Sequence, residues 1–73
     1  METKLKKIRA DKGLTQRELA EATGISLRTI QHFEQGTKKL NGAAAITVYT
    51  LARALDVDIE ELLTIPKDLK EGE

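Results

Sequence analysis

An all-α fold, a compact bundle of five helices, is what this 73-residue sequence predicts. Three observations carry that expectation. Apolar residues recur at helical spacing, as in Val48, Leu51, Ala52 and Leu55, which fall at i, i+3, i+4 and i+7. Helix-starting chemistry returns at intervals: Thr15 with Glu18, then Ser26, then Asp58 with Glu61. Glycines stand beyond the ends of three periodic stretches, at positions 13, 24 and 36. A residue without a Cβ takes the left-handed backbone of a helix stop at little cost.

The first helix is expected from residue 2 or 3 to residue 12, with Leu5 and Ile8 buried and Lys4, Lys6 and Lys7 in water. Gly13 stops it, and Lys12 suits the negative end of the helix dipole. The second helix spans 16–23. Thr15 and Glu18 form a capping box there, and Leu14 with Leu19 a hydrophobic staple. The third spans 27–35, capped by Ser26, with Ile25 and Ile30 as its staple and Gly36 as its end. A loop over 37–42 follows, with Leu40 tucked under the third or fourth helix. The fourth element is ambiguous, because Ile46-Thr47-Val48-Tyr49-Thr50 favours a strand while the residues on both sides favour a helix. An isolated strand would have no pairing partner, so a helix over 43–55 capped by Asn41 is expected. A fifth helix begins at Asp58, where Val57 and Leu62 repeat the staple. Pro66 closes the fold, which gives one domain over 1–65 and a solvated tail over 66–73.

A chain of this length builds one domain with a small core, so its stability leans on well-packed helices or on association. It has no cysteine, which excludes a disulfide framework and a thiolate metal site. Its start, METKLKKIRA, is charged and has no apolar core. No run approaches the roughly 18 apolar residues of a spanning helix. A cytoplasmic protein without a leader or membrane segment is the expectation. His32 is the only histidine. Glu60 and Glu61 are adjacent and so point to different sides of a helix, and Asp56 and Asp58 are accounted for by capping. No glycine-rich phosphate loop is present. The residues therefore suggest neither an enzyme nor a metal or cofactor site.

Formal net charge is zero, but the charges are segregated. Residues 1–41 hold nine Lys and Arg against five Asp and Glu, whereas residues 42–73 hold three against seven. A polyanion meets one face of a protein rather than its sum, so the basic half suits a nucleic-acid partner. Small helical domains also segregate charge by chance.

The basic half contains residues 15–36, TQRELAEATGISLRTIQHFEQG, two short helices about a tight turn. Gln16 opens the first, small Ala20 sits where steeply crossing helices touch, and Gly24, Ile25, Ile30 and Glu34-x-Gly36 complete the pattern. In these residues the chain resembles the helix-turn-helix of the phage repressor and Cro type, the XRE family, over roughly residues 3–63. Thr23 departs from the pattern, since the family more often has an aliphatic residue there; a threonine can keep the packing by turning its methyl inward.

The resemblance implies a lambda-repressor-like DNA-binding domain with its second and third helices as the motif. It implies a transcriptional regulator of double-stranded DNA, a repressor by expectation. In this architecture the second motif helix enters the major groove and the first crosses the phosphate backbone. Ile30 and Phe33 face the core, so the opposite face carries Arg28, His32 and Gln35, with Gln31 beside them. By resemblance, Leu27, Arg28 and His32 hold the base-contacting positions. Arg28 can fork onto guanine O6 and N7; His32 can donate to guanine or touch a phosphate; Leu27 meets a thymine methyl or covers core. Ser26, Thr29, Gln31 and Gln35 are the other residues of the recognition helix. Gln16, Arg17, Lys38 and Lys39 are phosphate candidates, although Lys38 and Lys39 also fit a merely solvated loop.

The family also pairs an arginine of the first helix with a glutamate near the end of the third, and Arg9 and Glu34 stand at those positions. The alternative is two unrelated surface charges. One copy offers few base contacts, so a homodimer on paired half-sites is expected. Ile59, Leu63 and Ile65 are its candidate surface, unless they pack within the domain. No small-molecule ligand is expected. The same fold also serves as a protein-interaction module such as an antitoxin or adaptor, which the acidic second half and zero net charge would suit.

Overall fold

Each of the first three helices starts on a hydroxyl. Thr3 Oγ1 accepts the N–H of Lys6 at 3.2 Å. Thr15 Oγ1 accepts that of Glu18 at 3.0 Å, while Glu18 Oε1 accepts the N–H of Thr15 at 2.9 Å. Ser26 Oγ accepts the N–H of Thr29 at 3.2 Å. These bonds satisfy donors that the helical ladder leaves open. They begin α1 (Lys4–Asp11), α2 (Gln16–Thr23) and α3 (Leu27–Gln35). The chain is described here by a computed structural model covering residues 2–64. A fourth helix, α4 (Ala45–Leu55), completes the set, with single 3-10 turns at Leu40–Gly42 and Ile59–Glu61. The fold is all-helical, and the described residues contain no strand. Gly24 at φ +74° and Gly36 at φ +82° end α2 and α3 in the left-handed region. Asp56 ends α4 there too, at φ 58°, a conformation that an L-residue enters only at a cost.

The second and third helices have the bounds read from the sequence, while the later elements differ. The strand-favouring residues 46–50 are helical, because the i, i+3, i+4, i+7 stripe buries Val48, Leu51, Ala52 and Leu55 together. That helix begins two residues later than expected, and Asn41 does not cap it. The N-cap is Ala44, which supplies no side-chain bond. Asn41 instead grips the far end of the chain: its Nδ2 donates to the Thr64 carbonyl at 2.7 Å, and its Oδ1 accepts the Thr64 N–H at 3.0 Å.

The same clamp explains why the expected fifth helix is only a 3-10 turn, so the described residues hold four α-helices rather than five. Glu61 does close back on the Asp58 N–H at 3.0 Å. The N–H of Thr64, however, is committed to Asn41 rather than to a carbonyl one turn earlier. One turn cannot repay helix nucleation without continuing. Residues 65–73, including Ile65 and the expected tail, lie outside the described residues.

The core is formed by Leu5 of α1, Leu19 of α2, Ile30 and Phe33 of α3, Val48, Leu51, Ala52 and Leu55 of α4, and Leu62. Each large aliphatic side chain buried this way contributes about 1.5–3 kcal/mol relative to exposure. Leu14, Ile25 and Val57 pack against this core, completing the three staples, and Leu40 joins them from the loop. Thr23, the departure from the aliphatic pattern, is half-buried. Its hydroxyl donates to the Leu19 carbonyl at 2.8 Å and accepts the Ile25 N–H at 3.2 Å. A turn-closing hydrogen bond thus stands where an aliphatic side chain would only pack. Helix α2 packs on both α3 and α4, and α1 packs on α3. The result holds α3 from behind and leaves its other side to solvent.

Candidate nucleic-acid interface

Helix α3 buries Ile30, Phe33 and Glu34. The carboxylate among them is heavily bonded. Arg9 Nε lies 2.6 Å from Glu34 Oε2, and Arg9 Nη2 donates to Oε1 at 3.0 Å, a two-pronged pair. Gln16 Nε2 donates to the same Oε1 at 2.9 Å. Arg9 Nη1 reaches the Leu14 carbonyl at 2.6 Å, and Thr3 Oγ1 donates to the Glu34 carbonyl at 3.3 Å. Side-chain exposure is 12% for Arg9 and 2% for Glu34, so neither is a solvated surface charge. The hydrogen bond to Glu34 raises the Arg9 pKa; burial opposes this, and the carboxylate's charge adds to it. A raised guanidinium value means that the contribution from Arg9's own titration is complete below its unfolded value and is lost only as pH climbs through the folded one. Arg9 therefore brings no pH dependence to stability near neutrality. Through this knot, α1, the α1–α2 junction and α2 all hold α3 at one carboxylate.

On the opposite side, Leu27, Arg28, Gln31, His32 and Gln35 line one open depression of about 520 Å³. Arg28 and Gln35 are exposed, while Leu27, Gln31 and His32 are half-buried. Arg28 forms no salt bridge among the described residues. Ser26 is exposed at the helix start, and its hydroxyl donates to Thr29 Oγ1 at 2.8 Å, leaving the Thr29 hydrogen available to an outside acceptor. The ring of His32 is held at its Nδ1, 2.9 Å from Thr37 Oγ1.

A second depression, of about 410 Å³, runs from Thr29 and Phe33 to the start of α4. Lys38 and Lys39 line it, together with Gly42, Ala43, Ala44 and Thr47. Both lysines are exposed, as is Arg17 on α2. Gln16 is only half-buried, but its amide nitrogen is engaged with Glu34, so one N–H of that group and its oxygen remain for another partner. Ile59 and Leu63 are half-buried and pack against the chain's own core, the intradomain alternative for these two positions. Among the described residues, the large apolar side chains that are exposed are Ile46 (68%) and Tyr49 (53%), both on α4.

Two features had no clear sequence signal. Thr37 reads as a loop residue, and only the left-handed turn at Gly36 brings it back to the histidine. The uncapped start of α4 beside Lys38 and Lys39 was hidden because Asn41 has the right identity for a cap but is used elsewhere.

No three of His, Cys, Asp and Glu come together as a metal cage among the described residues. No helix among them is long and apolar enough to cross a membrane. A family model described as helix-turn-helix matches residues 5–62. An uncharacterized HTH-type transcriptional regulator, y4dJ, of Sinorhizobium fredii is 38% identical over 58 residues, covering 80% of this chain and 71% of that protein. An uncharacterized HTH-type transcriptional regulator of Archaeoglobus fulgidus is 37% identical over 62 residues, covering 85% of this chain and 84% of that protein. No solved structure gives a significant match.

Proposed function

Because this chain belongs to the helix-turn-helix family, we propose that it is a non-enzymatic, sequence-specific DNA-binding regulator of transcription, acting as a repressor. The observation that carries the reading is the single depression formed by Leu27, Arg28, Gln31, His32 and Gln35 on the side of α3 facing away from the core. In the reading, the N-terminal part of α3 enters the major groove, where Arg28 forks onto guanine O6 and N7. Leu27 covers a thymine methyl, and His32, Gln31 and Gln35 reach bases farther along. Ser26 and Thr29 lie at the groove edge. Arg17, Lys38, Lys39 and the remaining amide hydrogen of Gln16 meet phosphates, as do the uncapped N–H groups of α4. Arg9 and Glu34 touch no DNA but fix the pitch of α3. Two copies bind half-sites about 34 Å apart, one turn of B-DNA. A repressor works by occupying DNA that polymerase needs, which requires no further chemistry from the chain.

The test is selection on a randomised duplex library at low and then moderate salt. The reading predicts an enriched, two-fold-symmetric sequence and an affinity that falls steeply with salt. The rival use of the fold, as an antitoxin or adaptor that binds a protein, predicts no enriched sequence and weak, salt-insensitive binding.

A further inference from the structure

We propose that Thr37, just past the end of α3, fixes the tautomer of His32 and so decides which base His32 accepts from; the inference rests on α3 being the DNA-reading helix. The Thr37 hydroxyl touches His32 twice. Its oxygen lies 2.9 Å from ring Nδ1 and 3.1 Å from the His32 carbonyl oxygen. A carbonyl oxygen only accepts, so both contacts are hydrogen bonds only when the one hydroxyl hydrogen is given there. Nδ1 then faces a hydroxyl lone pair, and a 2.9 Å contact of that kind is a hydrogen bond only when Nδ1 carries the proton. The reverse assignment, hydroxyl to Nδ1, would leave two oxygens facing each other at 3.1 Å with no hydrogen between them.

The backbone makes this arrangement firm. After the left-handed turn at Gly36, the N–H groups of Thr37 and Lys38 close on the same His32 carbonyl at 3.1 and 3.2 Å. Position 37 is thereby held against the ring in the free chain.

With its proton on Nδ1, the neutral ring has Nε2 as an acceptor. In the major groove an acceptor pairs with the exocyclic amino group of adenine or cytosine. It is repelled by guanine, whose N7 and O6 both accept. The neutral ring therefore reverses the preference read from the sequence, in which His32 donates to guanine. Thr37 is a positioning residue here: it touches no base and acts through the ring.

Two measurements on the full chain test this. Long-range nitrogen–proton NMR of the free protein, with the ring neutral, reads the tautomer of its only histidine. The wild type and Thr37→Ser are expected to carry the proton on Nδ1, and Thr37→Val to shift toward the Nε2–H form. A wild-type ring protonated at Nε2 overturns the inference and leaves the DNA reading standing. In duplex selection, His32→Ala marks the base that His32 contacts. At that position the wild type and Thr37→Ser should favour an amino-bearing base on the contacted strand. Thr37→Val should lose about tenfold of that discrimination, the scale of one hydrogen bond, with binding to random duplex unchanged. Guanine enriched at that position by the wild type overturns the inference alone. If no variant enriches any sequence, the DNA reading and the inference fall together.

Discussion

Glu34→Ala would leave the Arg9 guanidinium, 12% exposed, without its two-pronged partner, and would also remove the acceptor of Gln16. Truncating one member of a buried pair leaves a desolvated charge behind. We expect a loss of about 3 kcal/mol in chemical denaturation, with Glu34→Gln losing less because it keeps two acceptor contacts. Arg9→Lys should also destabilise, since an ammonium cannot bond both carboxylate oxygens in the fork geometry and still reach the Leu14 carbonyl. If Glu34→Ala unfolds with the wild-type midpoint, the carboxylate does not hold α3. At the same scale, Lys38→Ala and Lys39→Ala should weaken DNA binding about equally for all sequences. Each should lower the slope of log affinity against log salt by about 1.

Among the elements, α4 has both a strained stop and an unexpected neighbour. Asp56 sits at φ 58°, where glycine carries no Cβ penalty. Asp56→Gly should raise stability by about 0.5–1 kcal/mol, read as a higher thermal midpoint. Asn41→Ala should leave α4 intact and release the clamp on Thr64, so the Thr64 amide should exchange hydrogen faster while the Leu51 amide keeps its protection.

These elements also separate what a sequence discloses from what it hides. Thr15 with Glu18, Ser26, Gly24 and Gly36 act on residues within four positions of themselves, so the bounds of α2 and α3 were legible. Asn41 and Thr64 are 23 residues apart, and no local pattern reports that one has claimed the other. The missing fifth helix and the later start of α4 follow from that one distant pair of bonds. In the candidate site, the outward face of α3 was legible because Ile30 and Phe33 define its inward one. The hold of Gln16 on Glu34 and of Thr37 on His32 depends on side-chain directions that spacing does not encode.

For the whole molecule, zero net charge conceals a basic half that carries α1, α2, α3 and the lysines after them. The bound face is the one whose field matters, so strong salt dependence is compatible with neutrality. In the proposed mode of binding, a small core and few base contacts per copy both favour two copies on one site. Binding should therefore rise more steeply than a single-site curve as protein is titrated onto a two-fold-symmetric duplex, and a half-site alone should bind far more weakly. Comparison of wild type and Arg28→Ala on a selected duplex and its single-base variants decides whether the outer face of α3 reads the groove. If it does, Arg28→Ala loses about 1–3 kcal/mol confined to one base pair per half-site, with preference elsewhere retained. Unchanged affinity and unchanged preference in Arg28→Ala would contradict that role of α3.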